Sequence, residues 1–172
     1  GRFYFDHNAT TPVSQPVLEA VVPVMLEVYG NASSIHYYGQ AAKHRLDQAR
    51  RQVAELLRCH PTEIVFVSGG TEADNLAILG TVRRAGGPAG KHVITTTIEH
   101  PAVLNACAQL EREGASVTYV RVGGSGVVDP EDIRRALRPE TVLITVMHAN
   151  NELGTIQPIE AIGAIAREAQ VR

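Results

Sequence analysis

An α/β fold with a mostly parallel sheet flanked by helices is the architecture predicted for these 172 residues. Three observations point to it. Short β-type runs alternate with longer helical patterns along the chain. Ile64-Val65-Phe66-Val67 and the run from Val142 are apolar without alternation, as strands covered on both faces are. Polar segments stand just past the strands, at the carboxyl ends where α/β sheets collect ligands.

The elements follow in order. Phe3-Tyr4-Phe5 reads as a short extended piece leading into Asn8-Ala9-Thr10-Thr11-Pro12. Ser14 is placed to cap a helix with Pro16 in its first turn, ending near Gly30. Gly30 to His36 is a loop by composition. Ala42, Leu46, Ala49, Val53 and Leu56 fall at helical spacing and define one apolar face. Lys43, Asp47, Arg50 and Arg51 lie opposite, as a solvated surface. Pro61 ends that helix, and 64–67 follows as a strand. Ser68-Gly69-Gly70 then turns into a helix from about Thr71 to Arg84. His92–Thr97 is a strand, and Pro101 opens a helix through about Glu113 that Gly114 ends. Val117–Val122 is a strand, and Gly123, Gly124 and Gly126 make a flexible turn. Asp129-Pro130 caps a helix through Leu137. Val142–Met147 is a strand, and Pro158 starts a last helix with Ile159, Ile162 and Ile165 on one face.

Composition narrows the function. A chain that is 44% hydrophobic and 20% charged is neither a disordered tail, a collagen-like repeat nor a coiled coil. Its length allows roughly two thirds of the unfolded surface to be buried. Sixteen Lys and Arg against eighteen Asp and Glu leave a net charge of −2, with no basic excess for nucleic acid or an anionic membrane. No apolar run approaches the roughly 20 residues of a spanning helix. Gly1 to Asp6 does not read as a signal peptide. Cys59 and Cys107, with no CxxC, are expected to be reduced thiols in a cytoplasmic protein.

Three segments carry candidate chemistry. In Ser68-Gly69-Gly70-Thr71-Glu72, glycines admit a ligand close to a helix start whose free N–H groups and positive dipole end favour an anion such as phosphate. The pattern is neither GxxxxGK[ST] nor GxGxxG, and a plain helix cap is the simpler alternative. His100, after Glu99, stands where a strand gives way to a helix. It is placed to stack on a flat ligand or to act as an acid or base, or simply to cap the helix or pair with Glu99. His148-Ala149-Asn150-Asn151-Glu152-Leu153-Gly154 forms either a polar cup of amides or an ordinary turn. His100, His148 and Glu152 match no familiar zinc spacing, so no metal site is assigned. Cys107 shares a helix face with Val103 and Leu110 and reads as core. Nothing around Cys59 supports a reactive thiol.

Taken together, Phe5–Pro12, Gly30-Asn31-Ala32-Ser33-Ser34-Ile35-His36, Ser68–Asn75, Glu99-His100 and His148–Gly154 resemble the N-terminal part of the cysteine desulfurases of the nitrogen-fixation and iron–sulfur-assembly type. The resemblance runs from end to end. It implies part of the large domain of a fold-type I pyridoxal-phosphate enzyme, similar to aspartate aminotransferase. An N-terminal extended segment at 1–13 would precede the first part of that domain at 14–172. It implies pyridoxal 5′-phosphate as cofactor, with Gly70 and Thr71 on the phosphate and His100 stacked on the ring and shuttling protons. Asn151 would lie beside the phenolic oxygen and the substrate carboxylate. The implied reaction converts L-cysteine to L-alanine and leaves the sulfur on an enzyme cysteine as a persulfide. That sulfur then passes to an iron–sulfur scaffold or another acceptor protein. A homodimer is implied as well.

Several family residues have no counterpart in residues 1–172. Lys43 and Lys91, the only lysines, match no Schiff-base position, and neither cysteine matches the persulfide cysteine. The ring-nitrogen aspartate, the glutamine on the phenolic oxygen and the carboxylate-binding arginine are also unmatched. The resemblance therefore implies a further C-terminal polypeptide as partner, these residues being roughly the first 40–45% of the enzyme. Another class-V lyase or epimerase, or an inactive module binding a phosphorylated ligand, are the alternative readings.

Overall fold

The computed structural model describes all 172 residues, Gly1–Arg172. They form two compact units, Gly1–Phe66 and Val67–Arg172.

The first unit is built on two helices, α1 (Gln15–Glu27) and α2 (Tyr37–Leu57), followed by a single 3-10 turn at Pro61–Glu63. Ser14 is the N-cap residue of α1 and Pro16 falls in the first turn, although the Ser14 side chain makes no capping bond. At the start of α2, the His36 side chain accepts a hydrogen bond from the Gly39 amide. The Gly30–His36 loop packs tightly on this turn. A Cβ on Gly39 would stand 2.3 Å from the Ser34 carbonyl oxygen, and one on Gly30 would stand 2.2 Å from that of Tyr38. Backbone cannot yield as a flexible side chain does, so both positions require glycine.

Two expectations for this unit need correction. Residues 64–67 are not a strand. Ile64–Phe66 joins no ladder, with Val65 64% and Phe66 45% exposed. An apolar run favours a strand only where a neighbouring strand receives its N–H and C=O groups, and none does so here. The apolar face of α2 is likewise only partly covered, with Leu56 82% exposed. Periodicity says which residues share a face, not what lies against it. Arg50, expected on the solvated side, is half-buried, donates to the Ile64 carbonyl and sits 4.9 Å from the centre of the Phe66 ring. Lys43 and Asp47 do form a surface pair, at 2.9 Å.

The second unit has three layers. Its sheet contains β1 (His92–Thr96), β2 (Ser116–Val120) and β3 (Thr141–Ile144) in the order β2-β1-β3, all parallel. His92 to Thr96 pair with Ser116 to Val120 in sequence. On the other side His92 pairs with Thr141 and Val93 with Leu143, so the register skips Val142. Helices α3 (Gly70–Arg84) and α4 (Pro101–Arg112) cover one face. Ile78, Val82, Val93, Val103, Cys107 and Leu110 fill that interface. Helices α5 (Pro130–Ala136) and α6 (Ile159–Glu168) cover the other, around Ile94, Val120, Val128, Ile133 and Ile162. Val93 and Ile94 point to opposite cores, and all five residues of β1 are buried. This is the pattern of a central strand covered on both sides. Ile162 and Ile165 of α6 are buried as the periodicity predicts, while Ile159 at its start is exposed. The expected α/β architecture is present. No helix is long and apolar enough to cross a membrane.

At the amino end of the sheet a histidine is fully buried. His92 lies 2.8 Å from Thr141 Oγ1 through Nδ1 and 2.8 Å from Thr118 Oγ1 through Nε2. Burial holds its pKa below the ordinary histidine value, and the Arg138 guanidinium adds to the effect against Glu140. The unfolded chain therefore takes up a proton at higher pH than the folded chain. The stability carried by neutral His92 is complete above about pH 6.5 and falls away as the pH drops below it. Denaturant titrations between pH 7 and pH 5 are expected to lose up to about 1.4 kcal/mol per pH unit from this group. His92→Phe should flatten that slope, and equal slopes for the two proteins would refute the assignment.

Candidate functional site

The fold brings three segments to the carboxyl end of the sheet. Chain direction explains this. Helix α3 runs back to the start of β1, so its N-terminus lies where β1 ends, and α4 begins where β1 leaves the sheet. The segment after β3 leaves at the same end.

Gly69 is the N-cap residue of α3, and no side chain caps the helix. Its first-turn N–H groups lie outside the helical ladder. Glu72 does not fill the helix mouth but folds back, accepting from the Ser68 hydroxyl at 2.6 Å and the Ser68 amide at 2.7 Å. The hydroxyl bond, then the amide bond, lower its carboxyl pKa. A Cβ on Gly69 or Gly70 would meet no atom within 4 Å, and neither residue lies in the left-handed region, Gly69 being extended at φ 171°. Neither packing nor backbone conformation within this chain demands glycine there. The two glycines and the exposed Thr71 leave an open cradle over the free N–H groups. That arrangement fits a phosphate.

His100 is the N-cap of α4. Its Nδ1 accepts from the Ala102 amide at 3.1 Å, which assigns the ring proton to Nε2. The capping role considered from sequence is therefore real, and it leaves an exposed ring with a defined tautomer. Pairing with Glu99 does not occur. Glu99 is buried and turns inward, where its Oε1 accepts from Thr96 Oγ1 at 2.7 Å and from the Met147 amide at 3.0 Å. Burial raises its pKa, and Asp74 of α3 adds to the rise.

The segment after β3 is a tied loop. Asn150 is buried. Its Nδ2 donates to the Ile98 carbonyl at 2.9 Å, and its Oδ1 accepts from the Glu152 and Leu153 amides. Ala149 and Ile156 form an antiparallel bridge that closes the loop. Gln157, only 2% exposed, accepts from the Val128 amide and donates to the Gly126 carbonyl. Gly126 has φ +73°, and its Cβ would stand 3.0 Å from Leu153 Cδ1. Within the glycine turn expected to be flexible, Gly126 is thus a packed support, while Gly123 and Gly124 are exposed.

His100 and Asn151 line one cavity of about 290 Å³, together with Thr97, Glu99, Glu152 and Leu153. Gly70 and Thr71 stand at the α3 N-terminus, at the same end of the sheet. His148 lines a different cavity, with Ile156 and Pro158. Cys107 is buried in the α3–α4 core and burial pushes its thiol up to about 11, so it is inert as a nucleophile near neutral pH. Sequence reasoning did not find the structural roles of Asn150 and Gln157, or the inward turn of Glu99. An acidic residue directly after an apolar strand was the only available signal for the last.

Residues 3–172 match the family described as aminotransferase class-V. A cysteine desulfurase IscS of Methanosarcina thermophila is 51% identical over 168 residues, covering 98% of this chain and 41% of the relative. A putative cysteine desulfurase IscS 1 of Bacillus subtilis is 48% identical over 167 residues, covering 97% of this chain and 44% of the relative. The chain thus spans less than half the length of these relatives. Among solved structures, one described as SspA in complex with cysteine superposes with TM-score 0.93 at 43% identity, covering 98% of this chain and 48% of that one. A NifS-like protein superposes with TM-score 0.92 at 41% identity, covering 98% and 46%. With a match over nearly every residue, and a three-layer α/β fold common to the solved relatives, the chain belongs to the class-V aminotransferase family.

Proposed function

We propose that this chain is the cofactor-phosphate-binding part of a pyridoxal-phosphate-dependent cysteine desulfurase. Membership of the class-V aminotransferase family implies use of pyridoxal phosphate. The observation that carries the reading is the meeting of His100 and Asn151 on one cavity, at the sheet end that also holds the uncapped start of α3. In this reading the N–H groups of Gly70 and Thr71 and the Thr71 hydroxyl hold the phosphate. The His100 ring would stack on the pyridine ring with its proton at Nε2, where it could be exchanged with the substrate. Asn151 offers its amide to the phenolic oxygen and to the substrate carboxylate. When bound, the cofactor supplies an electron sink for bonds at the α-carbon of the amino acid. L-cysteine is the substrate, sulfur passes to a persulfide and then to an iron–sulfur scaffold or other acceptor protein, and the protein works as a cytoplasmic homodimer. The names of the relatives from Methanosarcina thermophila and Bacillus subtilis support the substrate and the reaction. The Schiff-base lysine and persulfide cysteine would come from polypeptide outside residues 1–172.

The test is to give the full-length protein pyridoxal phosphate and L-cysteine and measure alanine against sulfur released with a thiol reductant. Equal amounts of the two are expected. Pyruvate and ammonia would favour a lyase, D-amino acid an epimerase, and cofactor retention without turnover a binding module. The phosphate contact has its own test in Thr71→Val, which keeps the shape and removes the hydroxyl. One hydrogen bond to a charged group is worth roughly 1.5–3 kcal/mol, so cofactor affinity should fall about tenfold or more. Unchanged affinity would remove Thr71 from the site.

A further inference from the structure

We propose that Glu99 is the positioning residue of this cavity, its carboxyl oxygen joining the exits of β1 and β3 and so setting how His100 and Asn151 face each other. The role in a reaction rests on the desulfurase reading above, whereas the clamp itself rests on geometry alone.

The two exits are neighbours only in space. Met147 lies 48 residues beyond Glu99, and Ile98 lies 52 residues before Asn150. Two polar links cross the gap. Glu99 Oε1 takes the Met147 amide at 3.0 Å, and Asn150 Nδ2 gives to the Ile98 carbonyl at 2.9 Å. The same Glu99 oxygen takes the Thr96 hydroxyl at 2.7 Å, which fixes the carboxyl against the last residue of β1. The Met147 amide leaves the β-ladder to make this contact, and paired β3 stops at Ile144. Glu99 thereby governs where the chain departs from the sheet on its way to Asn150 and Asn151. On the other side, Glu99 immediately precedes His100, so its inward turn fixes the backbone from which the imidazole projects.

Burial makes this a costly place for a carboxyl, since an apolar residue of similar size would avoid the desolvation. An apolar side chain would, however, leave the Met147 amide and the Thr96 hydroxyl without an acceptor. Asp74 of α3 is the acidic neighbour from the facing helix, and it too disfavours charge on Glu99. The acceptor oxygen, rather than the negative charge, is therefore the property the site uses. This separates Glu99 from a group acting directly on a substrate.

The experiment compares Glu99→Ala, Glu99→Gln and the unaltered full-length protein. The first readout is amide hydrogen exchange over residues 147–153 without cofactor, and the second is pyridoxal phosphate affinity by absorbance titration. Glu99→Ala is expected to speed exchange in that segment by about tenfold or more, with β1 unchanged, and to weaken cofactor binding in parallel. The Gln amide oxygen accepts the same two hydrogen bonds, so Glu99→Gln is expected to stay within about threefold of the unaltered protein in both readouts. Thr96→Val removes one donor only and provides the graded case should Glu99→Ala fail to fold, with faster exchange again expected over 147–153. Unchanged exchange in both Glu99→Ala and Thr96→Val would overturn the proposal. So would Glu99→Gln behaving like Glu99→Ala, which would assign the effect to charge. Failure of the unaltered protein to release alanine would sink the desulfurase reading and leave the exchange result to decide the clamp.

Discussion

His100→Ala in the full-length protein is expected to lower alanine release from L-cysteine by about 10²–10⁴-fold, the range for a positioned acid or base. The structure sharpens this expectation, because the observed cap and the proposed acid–base role of His100 use different parts of the ring. Its Nδ1 caps α4 through the Ala102 amide, while the rest of the ring is exposed toward the cavity it shares with Asn151. Alanine removes both functions and costs about 1 kcal/mol of stability through the lost cap. His100→Asn restores a good N-cap and still lacks the ring. The asparagine variant should therefore melt close to the unaltered protein and yet be as inactive as the alanine variant. Steady-state turnover and thermal melting of the three proteins make the measurement. Turnover of His100→Asn within a factor of two of the unaltered protein would reduce His100 to a helix cap.

Residues 1–172 expressed alone are expected to release no alanine or sulfide from L-cysteine above a pyridoxal phosphate control. The reason lies in where the lysines and thiols fall. Schiff-base chemistry needs an amine against the cofactor aldehyde. Lys91 directly precedes β1, at the amino end of the strand, whereas His100 follows its carboxyl end. A five-residue strand spans roughly 16 Å, too far for one lysine side chain to bridge to the cavity. Lys43 lies in α2, paired with Asp47. Sulfur removal needs a mobile thiolate, and the Cys107 thiol is buried with its pKa pushed up to about 11. Cys59 follows α2, beside the residue that caps the 3-10 turn. Circular dichroism would verify that the segment is folded. Turnover by a folded segment, lost on Lys91→Ala or Cys59→Ser, would overturn this placement.

Much of the architecture was legible because its signals are local. The spacing of Val103, Cys107 and Leu110 gave α4 its buried face, and Asp129 before Pro130 marked the start of α5. The polar segments after β1 and β3 were identifiable because the strands before them are so apolar. What failed depended on distant partners. Ile64-Val65-Phe66-Val67 has the composition of a buried strand, but composition cannot supply a neighbouring ladder, and the segment remains unpaired. The turn at Gly126 looked loose because its supports, Gln157 and Thr155, lie 31 and 29 residues further on.

The sequence by itself determined the α/β class, the ends of most helices in the second unit, and which residues stand at strand exits. These follow from side-chain period, capping and backbone chemistry over a few residues. The tertiary structure alone decided that His100 and Asn151 share a cavity, that Glu99 faces inward, and that Asn150 both ties the loop and lines that cavity beside Asn151. The physical reason is that a buried polar group must find its partner wherever the fold puts one. For Glu99 that partner is the Met147 amide, brought beside it only because β3 pairs with β1.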